Sequence, residues 1–570
     1  MVKNLEIRKT DVLVIGGGGA GCRAAIEAAS SGCRVLLASK YPVTKSGATV
    51  VAESFYSVPL GDADPEDNPD RYLEDILKGG CGLSDPILAR RLASENCDRA
   101  RDLDAYGVRF KREESGRFFQ MRGPGHRYPR ALLPAQGGLG IIRGLHRELK
   151  RRQVEVIEDL FVTKILTPSG RAAGGMGLDL RHGTPLAIES KAVVIATGGY
   201  SRLWSYNDVP CDCTGDGIVM AYDAGADLID MEMALFYPTA VIHPPILYGL
   251  EMPHGLLLEH VGGRLLNGRQ EEFLPENLPT RDVMVVLIYR ELFEGRGSPH
   301  GGVFLDVSRP ETQRDDARHK LMTYLPEKYN YLLKYGIDIS REPVEVAPMA
   351  HYTLGGVRID SDCQTRVGGL YAAGEAAGNI HGANRLAGNA LPETQVFGAK
   401  AGERAAQWAK EQEEIRWDDS DVMHEVKMME SFFEGREEAM NPSHLKAKLQ
   451  DLMWSHAGVE REEGKLKKAL AEIGRMKSED RERVVIPSIR EYNLQWVDAL
   501  EVSAMLDLSE MVVRSALLRK ETRGHHFRLD YPERNDRDWL KHILIRKEKG
   551  TMNVWTETAG KPDPANPGIK

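Results

Sequence analysis

The sequence predicts an α/β chain of several domains, on three observations. Near the N-terminus a buried-strand run leads into a glycine cluster and then a helical pattern. Strand-plus-glycine segments of the same kind return far downstream, and a long, charged helical stretch follows them. At 570 residues the chain exceeds one hydrophobic core, so roughly two to four domains are expected.

The first element lies in "DVLVIGGGGAGCRAAIEAASSGCRVLLASK", residues 11–40. Residues 12–15 form a short, continuous, β-branched run, as in a strand buried on both faces. Gly16, Gly18 and Gly21 then fit G-x-G-x-x-G. The first makes a tight turn, the second lets backbone approach a pyrophosphate, and the third lets helix and strand pack closely. Ala and Ile recur at helical spacing over 21–31, so the pyrophosphate would face unpaired N–H groups at a helix N-terminus. "CRVLLASK" reads as the second strand. Strand, glycines, helix and strand in this order describe a Rossmann-like dinucleotide site. The acidic residue that usually ends the second strand is missing; Ser39 and Lys40 stand there.

Three later segments return to this sheet: a strand with glycines at 191–200, a helix of small residues at 215–228, and a strand, glycine turn and Glu375 at 368–378. Residues 230–350 carry mixed strand and helix signals with many prolines and read as an inserted α+β domain. From about 399 to 518 the pattern is helical and charged, as solvated helix faces are. The last 50 residues read as irregular, ending in an extended tail, "AGKPDPANPGIK". The expected division is 1–232 and 351–410 for the two parts of the nucleotide-binding domain, 233–350 for the insertion, 411–518 for the helical domain, and 519–570 for the C-terminal segment.

Composition narrows the function. A net charge of −9 argues against nucleic acid as a partner. No apolar run reaches the roughly 18 residues of a membrane span. The N-terminus is too polar for a signal peptide, so a cytoplasmic location is expected. The seven cysteines, 22, 33, 81, 97, 211, 213 and 363, contain no C-x-x-C. That pattern is neither a disulfide framework nor an iron–sulfur site. Cys211 and Cys213 lack further ligands, so no metal site is expected. Metal-based electron transfer would fall to a partner.

Several motifs in order then resemble one family, the flavoprotein subunits of succinate dehydrogenase and fumarate reductase, with L-aspartate oxidase as a cousin. The resemblance spans nearly the whole chain. It rests on the glycine motif, "LLASKYPVTKSGATVVAES", "ATGG", "TGDGIVMAYDAGADLIDMEM", "LPTRDV", "VAPMAHYTLGGVRID", "GLYAAGEAAGNIHGANRLAGNAL" and "ETRGHHFRLDYPERNDRDWLKH". It implies an FAD-binding domain with an inserted capping domain. It also implies FAD held by Gly16, Gly18, Gly19, Ala20 and Gly21; by Ser39 and Lys40, a pair common in the respiratory members; and by Ser46, Gly47, Ala48 and Thr49. Ala196, Thr197, Gly198, Asp216, Glu375, Asn389 and Leu391 complete the implied set. Many relatives carry a histidine at the place of Ala48 that bonds covalently to the flavin; alanine implies non-covalent FAD.

The resemblance also implies a mechanism: hydride transfer between flavin N5 and a carbon beside a carboxylate, with proton transfer at the adjacent carbon. Arg281 matches the proton-transfer arginine, Arg385 and His351 the carboxylate clamp, and Glu259 the acid of the proton relay. His381 is expected in the flavin environment. Tyr237 replaces a histidine and Leu258 a threonine at the opposite carboxylate pole. The relay arginine is missing, with His260 as a substitute. An anion facing Leu258 would lack hydrogen bonds. The expected substrate is therefore fumarate or succinate, or a related enoate with a less polar second end. An iron–sulfur subunit is the implied electron partner, with membrane association through partners. Two alternatives remain open: an L-aspartate-oxidase-like enzyme, and a non-catalytic electron-relay flavoprotein. Retention of Arg281, His351 and Arg385 speaks against the relay.

Overall fold

The computed structural model describes residues 5–560 apart from 53–54, 309–312, 414–416, 418 and 436–437. Residues 561–570, where the tail is expected, lie outside the described residues.

The N-terminal run forms the buried strand Val12–Ile15 at the centre of a five-stranded parallel sheet. Its neighbours are Ala192–Ile195 and Val35–Ser39, and the outer strands are Leu370–Ala372 and Glu155–Glu158. Four of these strands are apolar and fully buried, as parallel strands covered on both faces must be. Helix Gly19–Ser30 follows the glycines, and its small residues let helix Ala390–Glu411 pack closely against it. The contact is tight: a Cβ on Gly402 would lie 2.2 Å from the carbonyl oxygen of Ala24. This second helix follows the insertion, as does the outer strand Leu370–Ala372, which returns to the sheet 175 positions after Ile195.

The insertion builds its own antiparallel sheet, Ala234–His243 against Val344–Thr353, then Val303–Asp306 and Arg264–Leu266. It has a separate apolar cluster that includes Val241, Leu265, Met284, Ile288, Leu305 and Val346. The two long strands run antiparallel and paired, continuing the chain from the adjacent short strands Leu228–Ile229 and Gly356–Val357, which pair with each other. They therefore carry Tyr237 and His351 to the junction between the two sheets. Helices Pro442–Ala457, Glu463–Arg475 and Leu494–Leu518 form the helical region.

The C-terminal segment is more regular than its sequence suggests. Lys541–Glu548 and Thr551–Thr558 form a hairpin, which pairs through its first strand with Leu228–Ile229. Its turn is Lys549-Gly550, both at positive φ. No described helix is long and apolar enough to cross a membrane.

Candidate active site

Two clefts meet at the junction of the sheets. The first runs along the ends of the parallel strands. It is lined by every residue expected to hold the cofactor except Gly21 and Asn389. Gly21 is a packing glycine: a Cβ there would lie 1.8 Å from the Gly16 carbonyl oxygen. Asn389 is buried and accepts a 2.7 Å hydrogen bond from the Tyr72 hydroxyl.

The first cleft suits a dinucleotide. Helix Gly19–Ser30 starts on Gly18 without a side-chain cap, leaving its positive end for a ligand. A Cβ on Gly18 would meet only the Thr49 hydroxyl, at 3.8 Å, so the cradle is open on that side. The Thr197 hydroxyl and Asp212 Oδ1 line the cleft, buried and with no hydrogen-bond partner among the described residues. Lys40 replaces the usual acid, and two acids from elsewhere meet it. Its ammonium donates to Asp216 Oδ1 at 3.0 Å, Glu501 Oε1 at 2.8 Å and Thr214 Oγ1 at 3.2 Å. Glu375 is buried and accepts from the Thr353 N–H at 2.8 Å. Burial, outweighing that bond, pushes its carboxyl up to about 7.

The second cleft opens from the first: Ala52, Glu251, His351, Arg385, Ala390 and Leu391 line both. It brings together Tyr237, Arg281, His351 and Arg385, which are separated in sequence by up to 148 residues. Arg281 is the first residue of helix Arg281–Phe293. Burial, then repulsion from Arg385, pulls its guanidinium down to about 10. The positive helix end adds to this discomfort. Arg281 Nη1 and Arg385 Nε are buried without a hydrogen-bond partner among the described residues. Arg385 lies over the Tyr352 ring at 4.5 Å, and its Nη2 is 3.4 Å from His351 Nε2. Buried guanidinium donors left unspent call for an anion.

Glu259, expected as the relay acid, does not reach this cleft. It is exposed on the wide helical turn Leu257–Val261. Leu258 packs against the apolar cluster of the insertion, and Leu256 lines the cleft instead. His260 faces Tyr324, 5.4 Å between ring centres. His381 pairs with Glu393 at 3.0 Å and does not line the cofactor cleft. The acid in the cleft is Glu251, with His254 three residues on. His254 is buried, its Nδ1 has no hydrogen-bond partner among the described residues, and its ring meets Tyr237 at 5.4 Å. Burial, with help from Arg281, pulls its imidazole down to about 3. Asp208, also overlooked in the sequence, lines the first cleft beside His351. Glu251 and His254 carry a readable signal, an acid and a histidine three apart in "LEMPHG". Counting back from the glycine pair at 262–263 stops at Glu259 and passes over them.

Comparison with known proteins identifies the family. The family described as FAD binding domain matches residues 11–391, and that described as Fumarate reductase flavoprotein C-term matches 446–561. A Fumarate reductase (CoM/CoB) subunit from Methanothermobacter marburgensis is 38% identical over 552 residues, 95% of this chain and 98% of its own. The Fumarate reductase flavoprotein subunit of Haemophilus influenzae is 30% identical over 578 residues, 96% and 94% of the two chains. Among solved structures, Mycobacterium smegmatis Sdh1 in complex with UQ1 superposes with a TM-score of 0.89 at 32% identity, covering 98% of this chain and 95% of that one.

Proposed function

The chain belongs to the FAD-dependent oxidoreductase family that contains the fumarate reductase and succinate dehydrogenase flavoprotein subunits, and on that premise we propose its reaction. It reduces, or in reverse forms, a carbon–carbon double bond next to a carboxylate, in fumarate or a related enoate. The observation that carries this reading is the convergence of Arg281, His351 and Arg385 on one cleft that opens into the cofactor cleft.

FAD, when bound, supplies hydride chemistry at N5. Gly16, Gly18 and the start of helix Gly19–Ser30 hold its pyrophosphate. Ala48 offers no nucleophile, so the cofactor is held without a covalent bond. Arg385 and His351 grip one substrate carboxylate, the guanidinium fork fixing its plane. Arg281 gives a proton to the carbon adjacent to the one that receives hydride. An arginine is an improbable acid in water, but burial and the neighbouring Arg385 weaken its hold on that proton. Glu251, whose charge acts on Arg281, returns the proton. Tyr237 stacks beneath Arg281, 5.4 Å from its guanidinium carbon, and keeps it out of water. Tyr237 and Leu256 make the far pole less polar than the near one, so enoates with a bulkier, less charged second end are accepted beside fumarate.

Electrons are exchanged with an iron–sulfur subunit, since the seven thiols of this chain are scattered and free. The Methanothermobacter marburgensis relative is named for CoM/CoB, which makes that pair a candidate electron source here.

The test is Arg281→Lys. The variant keeps its flavin but loses fumarate turnover; near-normal turnover contradicts the assignment. A second reading is oxidation of L-aspartate, favoured by Asp208 and Glu251, whose carboxylates would meet an α-ammonium group. Aspartate oxidation by the lone chain with dioxygen, and no reaction with fumarate, would establish it.

A further inference from the structure

The mechanism above leaves Asp208 without a part. It lies on the chain between the short turn Ser201–Leu203 and helix Asp216–Asp223, with its side chain fully enclosed. Its two carboxylate oxygens stand 3.2 and 3.1 Å from His351 Nδ1. We propose that Asp208 is a positioning residue that holds His351 as an imidazolium while His351 and Arg385 grip a substrate carboxylate. The inference rests on the carboxylic-acid reading of the cleft.

The hydrogen-bond directions carry the argument. A guanidinium can only donate, so His351 Nε2, 3.4 Å from Arg385 Nη2, accepts from it. The ring proton then sits on Nδ1 and is donated to Asp208. A carboxylate arriving between Arg385 and His351 takes over the guanidinium bond. His351 Nε2 now faces an acceptor and must carry a proton to bond to it. One proton from solvent goes to Nε2, the Nδ1–H bond to Asp208 stays, and no electrons move.

The charges around the ring decide whether that proton stays. Arg281 and Arg385 oppose it, and His525, from the C-terminal segment, sits near enough to feel the ring. Glu251 Oε1, 3.6 Å from Nδ1, and Asp208 favour it. Tyr237 closes the remaining side with its ring, 5.1 Å away. Burial first and the arginines after it pull His351 down to about 4, against the pull of Glu251. The entering anion and Asp208 must reverse this together. Burial pushes the Asp208 carboxyl well above its ordinary range, so Asp208 is held as the anion by the Nδ1–H bond and by the positive ring it faces once the substrate is gripped.

The experiment titrates fumarate into the oxidised, FAD-loaded enzyme and reads the flavin absorbance from about pH 5 to about pH 8, bracketing the ordinary histidine range. Asp208→Asn is expected to weaken binding by about tenfold or more at neutral pH, one unit of histidine pKa or more, with the loss shrinking towards pH 5. Asp208→Glu, which keeps the carboxylate, restores most of the affinity. A loss of equal size at every pH would reveal a merely structural role and overturn the inference, as would unchanged binding at neutral pH. An enzyme that binds fumarate and every other carboxylic acid equally poorly at all pH values overturns the proposed function, and this inference with it.

Discussion

Arg281 is the residue on which the chemistry turns. It is buried at a helix start, faces another arginine, and has an unpartnered nitrogen among the described residues. A structural arginine would be expected to spend each of its buried nitrogens on a hydrogen bond. Arg281→Lys should therefore retain FAD while losing about 10²–10⁴-fold in fumarate reduction, the range for removing a positioned proton donor. Flavin content and steady-state rate, measured on one preparation, check this. Arg281, His351 and Arg385 were legible because each sits in a motif of fixed length. Glu251, His254 and Asp208 were not. They lie outside the quoted motifs, on the stretches around 208 and 251–254, and there a count from the nearest glycine pair misplaces a side chain. Only the folded loop shows that Glu259 points to solvent while Glu251 faces the cleft.

At the scale of elements, the glycine turn separates folding from binding. Gly16 has φ +116°, and a Cβ there would meet the Ala196 carbonyl oxygen at 2.2 Å. Gly18 has an ordinary φ of −76° and open space beside it. Gly16→Ala should thus lower both the melting temperature and the FAD content. Gly18→Ala should leave the melting temperature of the FAD-free protein unchanged and still lose FAD, because the added methyl occupies the pyrophosphate's path. Thermal unfolding of the two apoproteins and their flavin content distinguish the effects. This strand–turn–helix unit was readable because each of its positions has a local steric reason. The C-terminal hairpin was not. Its strands "KHILIRKE" and "TMNVWTET" are half polar, their turn is Lys-Gly in place of the more telling Asn-Gly, and their order comes from pairing with Leu228–Ile229, more than 300 residues earlier.

Across the whole molecule, the helical region is tied to the cofactor cleft by buried charge. Glu501, on helix Leu494–Leu518, accepts from Lys40 at 2.8 Å and from Lys446 at 2.5 Å. Burial alone would raise the Glu501 carboxyl, but the two lysines outweigh it and leave it below its ordinary value. Glu501→Gln would leave Lys40 to Asp216 alone and remove the buried acid it shares with Lys446. It should destabilise the protein by about 3 kcal/mol, typical of breaking a buried pair, and weaken FAD binding as well. Denaturant unfolding with and without added FAD measures both; an unchanged FAD affinity would show that the helical region is mere support. The same network explains how a lysine can follow the second strand where an acid is usual, since Asp216 and Glu501 supply the acids from distant sequence.

The most direct test of the central claim is anaerobic reoxidation of the chemically reduced flavoprotein by added carboxylic acids, followed by flavin absorbance. Fumarate, or a related enoate, should restore the oxidised spectrum in the wild-type enzyme at one acid per flavin, and Arg281→Lys should stay reduced. If no unsaturated acid reoxidises the wild type, or if Arg281→Lys reoxidises as fast, the cleft between the two arginines is not where this protein does its chemistry.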